Sequence, residues 1–432
     1  MSSEKLSLSS AIFINLNIMI STGLFVNTVI LSQRAGAAGF LLYPVIGICM
    51  LPLIASIARL LELYPSGGFY SFAKAGLGET FAFLSTWSFF FAKLASCTFM
   101  MFVSARFLQQ LIPSLNYFST IQVTLGILAL FTGLNLLKFT IGVSIQGFFL
   151  TAKFIPIIFV ILSGIYLFDI QALDYTNFLF TGIPTSIPLV LYSLAGFEAS
   201  CSLSRNIENA RVNAPKAIYY SFSFVLIVYG IFQFLLFAAA HQYLANLGGY
   251  IEVFPKLLAQ LHLSSGINAS LLNLLSFAIG IAALGGAYGI LFSNSWNLYE
   301  LANHNHLFLS SWISMQNRFS IPTACILIES LFCVMFLFLT SGSQLPLQQT
   351  ASLGVTFTYT ISVLSLLAIF IRQKVRMKTI VIPVLALGTC IIFIGACFQS
   401  FMAHGITSMY LFLSILAIGM IMYLLKSSSC RF

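Results

Sequence analysis

Four ionisable residues interrupt long apolar stretches of this chain, and two of them could carry proton chemistry: Lys153 and Glu198. An ionisable group at membrane depth is costly and is expected to have a function. Glu198 could gain and lose a proton, and Lys153 could do the same or hold its ammonium in the place of a sodium ion. The structural alternatives are a Glu198 that bridges helices in one protonation state and a Lys153 that snorkels to the interface. Lys93 and Glu329 could be interior partners.

Two short runs of small residues break apolar segments at the start of what read as two halves. An unwound turn at membrane depth frees backbone groups to hold a solute, and a helix that restarts there attracts a carboxylate. The alternative is a seam of small residues where helices pack closely. Such paired breaks favour a carrier over an enzyme, a receptor or a scaffold. The residues are Ser21, Thr22 and Gly23 in the first break, and Ala195, Gly196 and Phe197, followed by Glu198, in the second.

The sequence around these residues consists almost entirely of apolar spans. Of the 432 residues, 59% are hydrophobic and 7% are charged, whereas a soluble domain has about 25% charged residues. This composition predicts an all-α integral membrane protein. Runs of about 20 apolar residues can cross a bilayer, and twelve are predicted, at 10–32, 39–61, 80–108, 118–137, 144–168, 184–205, 215–240, 270–301, 321–340, 350–371, 379–400 and 406–425.

The twelve spans divide into two sets of five and two further helices. Because five is odd, the second set enters the membrane with the opposite orientation, which predicts inverted repeats. The repeats cover about 10–168 and 184–371, the further helices cover 379–425, and all belong to one transmembrane domain over 1–432. The first span reads as retained, since no convincing cleavage site accompanies it. Spans one and six contain the two breaks.

The basic residues are distributed unevenly between the two sides of the predicted membrane. With the N-terminus in the cytoplasm, only Arg34, Arg106 and Lys256 lie outside, as the positive-inside rule requires. Both termini are therefore predicted to be cytoplasmic. The residues on the cytoplasmic side are Lys5, Arg59, Lys74, Lys138, Arg205, Arg211, Lys216, Arg318, Arg372, Lys374, Arg376, Lys378, Lys426 and Arg431.

Other kinds of site receive little support from the sequence. Basic residues in short loops do not indicate a nucleic-acid partner, and no nucleophile and base pattern indicates an enzyme. Segment 242–265 is predicted to include a short helix that could act as a lid. No metal site or organic cofactor is predicted, because the histidines are dispersed over loops and span ends: His241, His262, His304, His306 and His404.

Three motifs resemble those of the amino acid–polyamine–organocation superfamily of permeases. Ser21–Phe25 resembles a Gly-Ser-Gly-Ile-Phe element, with Ser21 in place of the first glycine. Tyr64–Tyr70, continuing to Trp87, is similar to a Pro-x-Ala-Gly-Gly-x-Tyr run that ends in Gly-Trp. Gly196–Ala199 matches a Gly-Phe-Glu-Ala signature. Span eight departs from the family pattern, because its end at 302–305 lacks the usual arginine and acidic residue.

The resemblance implies a twelve-span carrier of the leucine-transporter fold. It assigns Ser21, Thr22 and Gly23 to the substrate carboxylate, and Ala195, Gly196 and Phe197 to the amino group. It also implies that Tyr192 closes over the substrate and that Lys153 stands in for sodium. These assignments come from position in the motifs.

The predicted function is secondary active transport of an amino acid across the cytoplasmic membrane, coupled to protons through Glu198 and Lys153 and independent of sodium. The expected partners are the amino acid or amine, the proton and the lipid bilayer. Two alternatives stay open: an antiporter that exchanges an amino acid for an amine or a second amino acid, and a sensor that binds an amino acid without transport. A sensor usually adds a long cytoplasmic tail, and only 426–432 follow the last span.

Overall fold

A computed structural model of the protein describes residues 5–244 and 246–429, and most of them are helical. Arg431 lies outside the described residues. Long apolar runs become helices because a helix satisfies its backbone hydrogen bonds internally. The helices are α1 (Leu8–Met19), α2 (Thr22–Ala35), α3 (Ala38–Leu63), α4 (Gly68–Leu77), α5 (Glu79–Leu111), α6 (Thr120–Asn135), α7 (Phe139–Tyr166), α8 (Ile183–Leu194), α9 (Ala199–Ser202), α10 (Ala210–Leu244), α11 (Val253–Gln260), α12 (Ser265–Asn303), α13 (Ser310–Ile313), α14 (Thr323–Thr340), α15 (Gln344–Arg372), α16 (Met377–His404) and α17 (Thr407–Ser429).

Ten helical segments in the described part of the chain are long and apolar enough to cross a membrane, when α1 and α2 are taken together as Leu8–Ala35. Two shorter apolar helices, Thr120–Asn135 and Phe180–Leu194, lie at the positions of the fourth and sixth predicted spans. The multi-pass helical architecture is confirmed. The count of twelve spans, and the treatment of spans one and six as broken membrane helices, stay predictions.

The helices differ in how deeply they are buried. Every residue in the most apolar window of α5 is buried inside the protein, against 22% of that window in Thr407–Lys426. Helix α5 contacts α12, α15 and α4 along its length. The centre of the fold is therefore built around α5, whereas α17 presents most of its apolar surface outward.

The helix ends define two opposite faces, which we name by one arginine each. On the Arg34 face, Gln33 donates to the Leu247 carbonyl at 2.9 Å. On the Arg205 face, the guanidinium of Arg205 lies 2.8 Å from the Glu300 carboxylate. Helix α11, which lies in 242–265, confirms the short helix predicted there.

Helix α4 lies on the Arg205 face and begins at a close contact with α9. Gly67 and Gly68 both have positive φ angles, 88° and 51°, a conformation that glycine adopts without strain. A Cβ on Gly68 would lie 2.7 Å from the Cys201 carbonyl oxygen. The paired glycines of the Tyr64–Tyr70 motif therefore allow the backbone to approach α9, directly after the second break.

Candidate substrate site

The first break lies between α1 and α2. Helix α1 ends at Met19, and the next two residues have non-helical dihedral angles. A helix that ends leaves its last carbonyls without donors from its own backbone. The ammonium of Lys153 donates to the Asn17 carbonyl, and the Tyr229 hydroxyl donates to the Met19 carbonyl at 2.6 Å. Lys153 is fully buried, so its side-chain nitrogen lies at the negative end of α1, where the helix dipole favours a cation.

The second break lies between α8 and α9. Ala195 is extended, with a ψ angle of 148°, and Gly196 has a φ angle of 135°. The Glu198 carboxylate accepts a hydrogen bond from the Gly196 amide at 2.7 Å. Its other oxygen lies 2.5 Å from the ammonium of Lys93, and both side chains are buried. Lys93 is thus the interior partner of Glu198.

The two breaks contact each other. A Cβ on Gly196 would lie 2.9 Å from the backbone nitrogen of Met19 and 2.7 Å from its Cγ. On the other side of the contact, the hydroxyls of Thr22 and Tyr192 are 3.3 Å apart and share a hydrogen bond. The structure therefore brings together residues that are 170 positions apart in the chain.

A small cavity lies beside the second break. It measures about 10 Å³, which is about the space needed for one water. The Phe197 ring stacks on the Tyr359 ring with a centroid distance of 5.9 Å, next to this cavity. The cavity is therefore too small to hold an amino acid. Tyr192 and Ala195 line the cavity together with Met50, Ser96, Leu191, Ala351, Ser352, Val355, Thr356 and Tyr359.

The other residues predicted for substrate contact lie in tight helix contacts. A Cβ on Gly286 would lie 2.6 Å from the Cβ of Ser21, so α12 packs directly against the first break. A Cβ on Gly23 would lie 2.7 Å from the Cα of Ser193. The packing seam predicted as the alternative for the first break is therefore present at Ser21 and Gly23, and the binding role of these residues stays a prediction. The Ser21 side chain does not cap α2.

Buried asparagines hold the broken segments in place, and the sequence analysis missed them. Their signal is polarity, since amides within an apolar run need partners inside the protein. Asn15 bonds Ser200, which lies after the second break, and Asn27 bonds Ser193, which lies before it. Asn17 donates to Gln146 at 3.0 Å. These pairs could not be predicted from the sequence, because the partners lie far away along the chain, in α7, α8 and α9.

The Arg205 face is closed by a cluster of polar and aromatic side chains. Glu300 pairs with Arg205 at 2.8 Å and with His304 at 3.1 Å. The Tyr70 hydroxyl and a ring nitrogen of His306 are 2.6 Å apart. Burial lowers the pKa of His306. Glu300 thus supplies an acidic residue near the position where the end of span eight departs from the family pattern.

Glu329 lies in α14 and is fully buried. Neither of its carboxyl oxygens has a hydrogen-bond partner among the described residues. Lys93, by contrast, is paired with Glu198. Of the two interior partners suggested by the sequence, the structure places only Lys93 at a break.

The fold is similar to that of a solved transporter. The chain aligns with a Na+-coupled sialic acid symporter, solved in a substrate-bound outward-open state, with a TM-score of 0.60 and 11% identity. The alignment covers 92% of this chain and 90% of that one. Fold and helix composition therefore place the protein in the class of multi-pass membrane proteins with a leucine-transporter-like fold.

A family model described as amino acid permease matches residues 6–423. The chain belongs to this family, which is part of the amino acid–polyamine–organocation superfamily. An uncharacterized transporter of Mycobacterium tuberculosis is 22% identical over 74% of this chain and 70% of its own length. An uncharacterized transporter of Legionella pneumophila is 26% identical over 40% of each chain. The predicted family is confirmed, and the relatives are transporters.

Proposed function

We propose that this protein carries amino acids across the cytoplasmic membrane by alternating access, coupled to protons and independent of sodium. The observation that best supports this proposal is the hydrogen bond that the buried Lys153 ammonium donates to the Asn17 carbonyl, at the end of α1. Freed carbonyls at an interrupted helix are the groups that coordinate sodium in carriers of this architecture. A cation that belongs to the protein takes that place, and unlike sodium it can release a proton.

Glu198 is the second candidate for proton coupling. Its carboxylate holds the Gly196 amide and the Lys93 ammonium at the same time. Protonation would remove its charge and weaken both contacts, and the second break would then be free to change conformation. The structural alternative assigns Glu198 a fixed bridging role, and a pH profile separates the two.

The substrate contacts follow from the ends of the broken helices. The first amides of α2, at Thr22 and Gly23, are not capped by the side chain of Ser21. Free amides at a helix N-terminus favour a carboxylate. We place the amino group near Ala195, Gly196 and Phe197, whose carbonyls lie in the second break. Tyr192 closes the site, consistent with its hydrogen bond to Thr22.

Orientation in the membrane follows from the charges. We place the Arg205 face and both termini in the cytoplasm, because most loop lysines and arginines lie on that side of the predicted topology. The Arg34 face is then outside. One transmembrane domain with inverted repeats at 10–168 and 184–371 fits this arrangement.

The test is uptake of labelled amino acids and amines into proteoliposomes, with and without sodium and with an inward proton gradient. Proton-driven uptake into empty vesicles without sodium is expected. Uptake that requires sodium would contradict the proposal. Lys153→Ala should lose proton-driven uptake, whereas Lys138→Ala, which changes an exposed lysine at the start of the same helix, should keep it.

The same vesicles distinguish the alternatives. An obligate antiporter takes up label only when unlabelled amino acid or amine is present inside. A sensor binds label but shows no uptake under any of these conditions. Either result would replace proton-coupled symport as the function.

A further inference from the structure

A cleft lies between the end of α3 and the start of α10, on the Arg205 face. It has a volume of about 310 Å³, which is the volume of about ten liquid waters at about 30 Å³ each. Helix α3 ends at Leu63 and α10 begins at Ala210, so the cleft lies where both helices reach the rim of the apolar region. We call it the basic cleft, and its lining includes Arg59, Glu62, Arg211, Pro215, Lys216 and Tyr219.

The basic cleft contains more cations than carboxylates. Arg59 pairs with Glu62 at 2.6 Å. Among the described residues, no carboxylate lies within salt-bridge distance of Arg211 or Lys216, and both residues are exposed. With three cations and one carboxylate in its lining, the cleft has a formal charge of +2. This charge favours an anion as the ligand.

The position of Arg211 in its helix also favours an anion. Arg211 lies in the first turn of α10, which begins at Ala210. This is the positive end of the helix dipole, where an anion is favourable and a cation is not. The positive-inside rule accounts for basic residues on this face in general. It does not require that three of them, from two helices, line the same cleft.

Apolar side chains continue from the basic cleft along both helices. Helix α3 packs along α10. Ile48 and Leu51 are exposed on α3, and Phe224 and Ile227 are exposed on α10. Tyr219 lies between the cations and the apolar residues of α10, and tyrosine is typical of the interface between membrane and water. A ligand with a phosphate and acyl chains therefore matches this surface better than a free ion does.

We propose that the basic cleft binds the headgroup of an anionic phospholipid, with its phosphate on Arg211 and Lys216 and its acyl chains along α3 and α10. Basic pockets between membrane helices on the cytoplasmic side bind such headgroups. The guanidinium of Arg211 presents a fork of donors to the phosphate oxygens, and the ammonium of Lys216 adds a point charge. The proposed orientation places the cleft in the cytoplasmic leaflet. The binding itself does not depend on transport.

The experiment titrates phosphatidylglycerol into the full chain in a neutral detergent and measures thermal unfolding. A saturable rise in Tm is expected, because a ligand that binds the folded state stabilises it. Phosphatidylcholine has no net charge and should not raise Tm. Glycerol 3-phosphate, which has the phosphate without the acyl chains, should not raise Tm at the same concentration. If it raises Tm as much as phosphatidylglycerol does, the cleft binds a soluble phosphate and the lipid is the wrong ligand.

Two double variants locate the binding. Arg211→Ala with Lys216→Ala should raise the Kd for phosphatidylglycerol about 25-fold, at about fivefold for each cation. Arg376→Ala with Lys378→Ala removes two exposed charges at the start of α16 and should leave Kd unchanged. A wild-type Kd in the first variant would place the lipid elsewhere. Equal losses in both variants would show a diffuse attraction to net charge, and either result would overturn the proposal.

Glu62→Gln gives a readout in the opposite direction. It removes the carboxylate of the cleft and leaves Arg59 without its partner, so Kd should fall about fivefold. Damage to the fold would weaken binding, so tighter binding cannot result from misfolding. An unchanged or higher Kd would contradict the proposal. None of these measurements involves uptake, so failure of the lipid site leaves the proposed transport function standing, and failure of transport leaves the lipid site standing.

Discussion

The two breaks are stabilised in different ways. The first is held from outside, by the Lys153 ammonium and the Tyr229 hydroxyl, which reach the end of α1 from α7 and α10. At the second break, Glu198 accepts a hydrogen bond from Gly196 of the same segment and pairs with Lys93 of α5. A change at the first break therefore requires helices to move apart. At the second, a different charge on the Glu198 carboxyl group would weaken both of these contacts.

Removing the partner of Glu198 should have the largest effect on stability. Lys93→Met leaves the carboxylate buried without its counter-ion, which should lower the free energy of unfolding by about 3–5 kcal/mol. Adding Glu198→Gln in the same chain should recover most of this loss. Thermal unfolding in detergent checks both, with Lys74→Met in an exposed ion pair as the control. Equal losses in the single and double variants would contradict the pairing.

Changing the glycine of the second break should have the next largest effect. In Gly196→Ala, the alanine would have to adopt a φ angle of 135°, and its Cβ would clash with Met19. Strain and overpacking should therefore lower the free energy of unfolding by about 2–4 kcal/mol. Gly388→Ala lies in α16 with no atom within 4 Å of the new Cβ and should not destabilise the protein. A stable, active Gly196→Ala protein would show that the break tolerates another conformation.

Lys153→Ala should affect transport more than folding. It leaves the Asn17 carbonyl without its donor, which costs about 1–3 kcal/mol, and removes the cation from the end of α1. Impaired uptake without a simple leak is expected. Full activity of Lys153→Ala over the whole pH range would remove Lys153 from the coupling mechanism.

Glu198→Gln should keep much of the packing and lose the titrating group. We expect a flatter dependence of uptake on pH than in the wild type, measured with purified protein in vesicles. Glu208→Gln, at an exposed position after the second break, is the matched control. An unchanged pH profile in Glu198→Gln would leave Glu198 with the fixed bridging role.

Tyr229→Phe should have the smallest effect. It removes one neutral hydrogen bond, to the Met19 carbonyl, and should cost about 1 kcal/mol. Tyr220→Phe changes an exposed tyrosine of the same helix and should leave unfolding unchanged. If Tyr229→Phe lowered the free energy of unfolding as much as Lys93→Met, the first break would depend on neighbouring helices more than the comparison of the two breaks suggests.

Much of the fold could be predicted from the sequence because the bilayer imposes one requirement on every span. Apolar length located α5, predicted at 80–108 and observed at Glu79–Leu111. Length alone was a weaker guide at Thr120–Asn135 and Phe180–Leu194, because these apolar helices are shorter than the usual length of a membrane span. The family was also readable, because its motifs are contiguous in the chain and the family model confirms them.

The candidate site was only partly predictable. Thr22 and Tyr192 were both expected near the substrate, and the structure joins them by a hydrogen bond. The ion pair of Lys93 with Glu198 was not foreseen as such, because any buried acid could have met any buried base. The pairs that connect Asn15 and Asn27 to the second break were missed for the same reason.

The sequence by itself determined that this is a helical membrane protein of a permease family. It also located the small residues of the two breaks and the ionisable residues within apolar spans. Apolar length and local motifs are properties of the chain, so no packing information was needed. Only the tertiary structure decided which charge faces which, that Lys153 meets α1 and Lys93 meets Glu198, and that Arg211 and Lys216 share a cleft with the end of α3. Partners at such distances along the chain are selected by helix packing, which no local pattern encodes.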